Sequence, residues 1–389
     1  MSEHEGLLPL EGTQLTRRQF LAGALGLAAG IALKDWMDTS FSVPVEEISG
    51  WLNPGSHWQN LSTGDDVVFG VGPDSGVLKD WQRWEQLEKL YVAEGENGQY
   101  FGYRVINSRG DFDIIRDTGY TSTPFALPDR SSPLPEEYNM VATSRANPDA
   151  RVIMPAKFGH EGADNLTISQ RKGLAGGDFS AIGRAYATGW ERAGVEADII
   201  VGDSLGARNA LAVVNSGIMA VRAAALIDPP GATYWDNLLR FKKAIDQEAP
   251  YGQQLLQQSP DRDQARLVTE MSKFFNSRMV GYLRDGRGAD MFFRYPHGMR
   301  KAGLEAELEK AVTESSNTRL DWYVPGASTL THQEDAVAVT KRLEAQQAAM
   351  GRSNLEVLLG EKATHLVFQG HEYLIAQGVI PRLLQRAGQ

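Results

Sequence analysis

Cysteine is absent from all 389 residues. That removes disulfides, thiol nucleophiles, Cys-ligated zinc and a lipidated N-terminal Cys together. Any nucleophile must therefore be Ser, Thr, Asp, Glu or Lys. An excess of basic charge is also missing: 39 Lys+Arg stand against 49 Asp+Glu, a formal charge of −10, and no basic run occurs. Neutralising a phosphate backbone needs a basic patch, so nucleic acid is not an expected partner. No apolar run reaches the roughly 20 residues that a membrane-spanning helix requires, and no repeat of 20 to 50 residues is found. What remains is a chain that is 42% hydrophobic and 23% charged, ordinary values for a globular protein with a substantial core.

The first 45 residues read as an address rather than as fold. Thr16-Arg17-Arg18-Gln19-Phe20 leads into Leu21 to Leu33, composed only of Leu, Ala, Gly and Ile, and then into Lys34-Asp35. This order of charge, mild hydrophobicity and polarity resembles a twin-arginine export signal, which implies the export machinery as a partner and work outside the cytoplasm. Gly30-Ile31-Ala32 is only a passable cleavage site, so a cleaved signal and a retained anchor both stay open. Residues 46–91 are set apart as an N-terminal accessory segment, expected to be helical from Leu78 to Tyr91. Its Gly70-Val71-Gly72-Pro73 lacks the spacing of a dinucleotide cradle and reads as a turn.

From residue 92 strands and helices alternate. Strands are expected over 99–106, 112–115, 151–155, 198–201, 223–227, 320–324 and 355–359, with helices over 135–144, 179–193, 207–217, 333–350 and 373–386. That rhythm predicts an α/β fold, a mostly parallel sheet covered by helices on both faces. Residues 92–232 and 319–389 form the two parts of the core. Residues 233–318 lack a convincing strand and read as a helical insertion.

The strand Asp198-Ile199-Ile200-Val201 runs into Gly202-Asp203-Ser204-Leu205-Gly206, and a helix follows. G-x-S-x-G is a weak pattern alone, but between strand and helix its small residues allow a turn that lifts the Ser hydroxyl above the sheet. With Thr118-Gly119-Tyr120-Thr121 after an earlier strand, Gly159-His160-Glu161-Gly162 after another, and Val221 to Pro229 after the elbow helix, residues 92–389 resemble an α/β-hydrolase. In that family the insertion is a cap over the site.

The resemblance implies Ser204 as nucleophile and a general base on the loop after the last strand, which here is His365, with His371 as competitor. It also implies an oxyanion hole of two backbone N–H groups, those of Leu205 and Tyr120. The usual acid is missing: the loop Pro325-Gly326-Ala327-Ser328-Thr329-Leu330 carries no carboxylate, and Glu334 and Asp335 lie later, at a helix start. Some members take the acid from the end of the preceding strand, which nominates Asp228, although an Asp before Pro can also serve only a turn. No metal or organic cofactor is implied, since His371-Glu372 is not followed by the second His of H-E-x-x-H. Gly202-Asp203-Ser204-Leu205 also spells the opening of the GDSL esterases, but the Asp-x-x-His they require is absent after Ser204. The expectation is an exported serine hydrolase acting on a small-molecule or lipid-like carboxylic ester, or another acyl bond. A catalytically silent relative, binding at the cell surface, is the alternative.

Overall fold

The computed structural model describes residues 56–79, 89–119, 134–270, 287–315, 317–368 and 370–388. The leader at 1–45, Tyr120 and most of the expected 78–91 helix lie outside the described residues. Ten strands form one sheet in the order β2-β1-β10-β9-β8-β7-β5-β6-β4-β3. The six central strands, β10 (Leu355–Gly360), β9 (Arg319–Pro325), β8 (Ala223–Ile227), β7 (Ile199–Asp203), β5 (Phe112–Asp117) and β6 (Ala150–Pro155), are parallel. The flanking strands β1 (His57–Asn60), β2 (Asp66–Val68), β3 (Lys89–Glu94) and β4 (Tyr100–Ile106) add antiparallel.

The central strands are parallel because their side chains are apolar on both faces, so helices must cover both. Ile200 and Leu226 point into one core, and Ile199, Val201, Ala225 and Ile227 into the other, which is the period of two expected of a strand. The first core is closed by α3 (Ser180–Ala193), α4 (Leu205–Ser216), α7 (Leu304–Glu314) and α8 (Gln333–Ala349); the second by α1 (Pro135–Ala146) and α9 (Ile380–Ala387). A shorter helix, α2 (Ile168–Gly176), precedes α3, and its Thr167 and Gln170 close a reciprocal capping box.

Two stretches differ from the sequence reading. Residues 57–60 and 66–68, within the segment set apart as accessory, extend the sheet beyond β10, while Lys89–Glu94, expected as the end of a helix, forms edge strand β3. Trp58 explains the first: it is fully buried, edge-on to Tyr323 at 5.1 Å between ring centroids and stacked on Phe368 at 6.0 Å. Within 233–318 the described regular elements are helices, beginning with α5 (Leu238–Gln258) and α6 (262–270). Of these, α7 packs on α4 and α8 in the layer that covers the first core.

Candidate active site

The end of β7 turns directly into α4 at Ser204, whose backbone sits at φ 53°, ψ −119°. A side chain at positive φ costs about 1–3 kcal/mol, which persists only where the surroundings impose it. Here they do. The Ser204 N–H donates to Ile227 O on β8 at 2.8 Å, and the Ser204 carbonyl accepts from Ala207 N–H at 3.1 Å to open the helix. A Cβ at Gly202 would press on the backbone of Gly206 and Ala207, and one at Gly206 on the carbonyl of Asp117. The two glycines are thus needed for close approach, and the Ser204 side chain is left half-buried at the rim of the sheet.

Asp228 occupies the same position at the end of the neighbouring strand. Its φ is 39°, its N–H donates to Tyr323 O on β9 at 2.9 Å, and it is fully buried. The imidazole of His365, on the loop after β10, meets it: Nδ1 lies 2.7 Å from Asp228 Oδ2. A carboxylate only accepts, so Nδ1 carries the proton, and in the neutral ring Nε2 is left as the basic nitrogen. Burial alone would lower the His365 pKa, but the hydrogen bond and charge of Asp228, with the charges of Glu248 and Asp203, more than offset it and hold it above the usual 6.5. Asp203, whose charge bears on the ring, directly precedes Ser204.

The remaining expectations sort as follows. Leu205 is the first residue of α4, where a helix leaves its N–H groups without intrahelical partners. Tyr120 lies outside the described residues; adjacent Gly119 passes so close that a Cβ there would stand 3.8 Å from Ser204 Cβ. His371 is buried beside Tyr373 rather than on Asp228. Glu334 and Asp335 fall in the first turn of α8, and Asp335 accepts from Thr233 Oγ1 at 2.7 Å and lies 3.7 Å from His332 Nδ1.

Several polar residues around the site escape sequence reasoning. Ser328 donates its hydroxyl to Asp228 Oδ2 at 2.9 Å, from the very loop where a carboxylate was missing. Glu248 of α5 accepts the His365 N–H at 3.2 Å. Beneath the elbow, Arg116 forms a fork to Glu372 at 3.1 and 3.0 Å and lies 3.7 Å from Asp203. Lys157 is buried 3.2 Å from Asp117, which also accepts from Asn209 at 2.9 Å. Burial pushes the Asp203 carboxyl up, against the pull of Arg116 and Lys157, and pushes Glu372 up to about 7 despite Arg116. Partners that lie from 40 to 256 positions apart leave no local signal.

No group of three or more metal-ligating side chains occurs among the described residues, nor is any described helix long and apolar enough to cross a membrane. A cleft of about 530 Å³ lies elsewhere, lined by Asp74, Tyr138, Arg145, Asp261 and Tyr373, and touches none of Ser204, Asp228 and His365.

No known family profile matches the chain, and no curated protein matches its sequence. Among solved structures, a membrane phospholipase A described as a bacterial virulence factor superposes with a TM-score of 0.52 at 14% identity, covering 96% of this chain and 99% of the other. The chain has an α/β-hydrolase fold. An esterase from Exiguobacterium antarcticum matches at 0.47 and 10% identity over 75% of this chain and 98% of its own. A haloalkane dehalogenase variant from Bradyrhizobium elkanii matches at 0.47 and 13% identity over 78% and 99%. In this α/β-hydrolase fold β7 and α4 flank the strained turn at Ser204, Asp228 follows the end of β8, and His365 lies on the loop after β10.

Proposed function

We propose that the chain is a serine hydrolase that cleaves carboxylic esters through an acyl-enzyme on Ser204. The observation that carries this reading is the pairing of His365 with buried Asp228, 2.7 Å apart, where Asp228 follows the strand next to the strained turn that presents a hydroxyl. A Ser hydroxyl is a poor nucleophile near pH 7 and needs a base. In the proposed cycle His365 Nε2 takes the Ser204 proton as Oγ attacks the ester carbonyl, then returns it to the departing alkoxide. Water enters, gives its proton to the same nitrogen, and frees the acid and Ser204. Asp228 fixes the tautomer and stabilises the transient imidazolium. The oxyanion is met by the N–H of Leu205, with that of Tyr120 as the second donor.

The test is covalent labelling of the purified protein with a fluorophosphonate. Labelling that disappears in Ser204→Ala supports the assignment, and a panel of esters of graded acyl length then names the substrate class. A folded wild-type protein that takes no label overturns it and leaves the silent binding role. We further propose export through the twin-arginine route, on the strength of Arg17-Arg18 and the mild apolar run behind them. Replacing both with Lys should trap the protein in the cytoplasm; unchanged export would refute this.

A further inference from the structure

We propose that Glu248, on the inserted helix α5, is a positioning residue that holds the His365 imidazole in place by clamping together the two loops that build the acid–base pair. The inference rests on the hydrolase reading above. Glu248 is 1% exposed and uses both carboxylate oxygens. Oε2 accepts the His365 N–H at 3.2 Å, on the loop after β10. Oε1 accepts the N–H of Thr329, on the loop after β9, next to the Ser328 whose hydroxyl holds Asp228. The Thr329 hydroxyl is also 3.2 Å from Oε1, but its proton goes to Ala244 O at 2.6 Å, which ties the same loop to α5 a second time.

Near the sheet the two loops are joined by Gly326 N–H to Gly360 O at 2.8 Å and Ala327 N–H to Ala363 O at 2.9 Å. Beyond that point Glu248 spans them. The chemistry calls for a carboxylate, because two N–H donors face its two oxygens. An amide has one acceptor and would turn an NH₂ group against a second N–H. The ionised side chain also adds negative charge near the ring. The acidic groups that bear on the His365 ring are Asp228 from the end of β8, Asp203 from the end of β7 and Glu248 from α5. Burial raises the pKa of Glu248 itself, and the charge of His365 and the Thr329 N–H oppose the rise. The consequence is that the insertion is mechanically tied to the base.

The experiment compares full-length Glu248→Gln with wild type in ester turnover across pH, melting temperature and NMR titration of the His365 ring. The expected result is a fall in kcat of about tenfold to a hundredfold from misplacement of the base, with KM held within about threefold. The acid limb of the rate profile and the ring titration should both move to lower pH, by up to about one unit. Wild-type kcat with an unmoved limb overturns the proposal. So does a lowered melting temperature with the ring titration unchanged, which marks a merely structural contact. If Glu248→Gln does not fold, Glu248→Asp decides: it keeps the charge but cannot span both loops, and an unchanged kcat overturns the clamp. Wild-type protein that neither turns over esters nor takes fluorophosphonate defeats the hydrolase reading alone, and the ring titration still judges the clamp.

Discussion

Replacing Asp228 with Asn tests the acid–base pair most directly, because this substitution removes charge while sparing the backbone. Asp228 sits at φ 39°, in the left-handed region where Asn is among the few residues readily tolerated. The side-chain volume and the contact with Ser328 can both be kept. What changes is the partner of His365 Nδ1, now 2.7 Å from a carboxylate oxygen. At that separation a carboxylate and an imidazolium attract by about 6 kcal/mol with an effective dielectric constant of about 20. An amide forfeits that term and, by presenting its NH₂ group, favours the tautomer with the proton on Nε2, where it cannot take one from Ser204. At about 1.4 kcal/mol per decade, the loss corresponds to a fall in kcat of about four orders of magnitude. Turnover of a chromogenic ester, with Ser204→Ala as the zero and a melting curve to establish folding, reads the effect. A folded Asp228→Asn protein whose kcat stays within about tenfold of wild type refutes the assignment of Asp228 as the acid.

Other perturbations probe the same framework. Since Asp228, Glu248 and Asp203 together hold the His365 pKa above 6.5 and the base must be neutral, the acid limb of kcat/KM should have its midpoint above 6.5; a midpoint below 6.5 contradicts the geometry. Glu372 binds its proton more tightly folded, up to about pH 7, than its ordinary 4.5. Its contribution to stability is therefore full below pH 4.5 and is lost as pH rises to about 7, a change of about 3 kcal/mol. Glu372→Gln, which mimics the protonated acid, should gain melting temperature relative to wild type across that window; parallel curves count against the raised pKa. Gly206→Ala drives a Cβ into the Asp117 carbonyl and should abolish fluorophosphonate labelling and cost at least about 1–3 kcal/mol in chemical denaturation; a labelled, fully stable variant would show that the turn can relax. Trp58→Ala should cost about 3–5 kcal/mol in the same assay, because its ring is buried between Tyr323 and Phe368. A cost under about 1 kcal/mol would make β1 and β2 a dispensable edge.

How much of this was legible in the chain depended on burial. Ala223–Ile227 is buried at all five positions and Ile199–Asp203 at four, so continuous apolar runs marked both strands, and the glycines around Ser204 marked the turn between them. Edge strands carry no such mark. Lys89–Glu94 is exposed at every position but Ala93, and His57–Asn60 buries only Trp58 and Asn60, too few residues for alternation to emerge. The buried polar groups were harder still. Glu248 follows Asp246 and Gln247 in α5 with nothing in the sequence to set it apart from them, and Arg116 finds Glu372 256 positions away. A pairing of that kind becomes visible only when the sheet order is known.

Asp228, the proposed acid, shows why an incomplete motif is weak evidence against the hydrolase reading. The loop after β9 contains no carboxylate between Pro325 and His332, and a reading tied to that loop would end with an orphaned base. But β8 and β9 are adjacent parallel strands, with Ile227 paired to Tyr323. A carboxylate one residue beyond Ile227 therefore emerges on the same rim, one strand spacing of about 4.8 Å nearer to Ser204. His365 approaches from the loop after β10 and meets Asp228 there, while Ser328 donates to the same oxygen from the loop that lacks the acid. The imidazole requires a buried acceptor at its Nδ1 and is indifferent to which strand delivers it. Topology offers two adjacent strand ends, and Asp228 with Ser328 uses both.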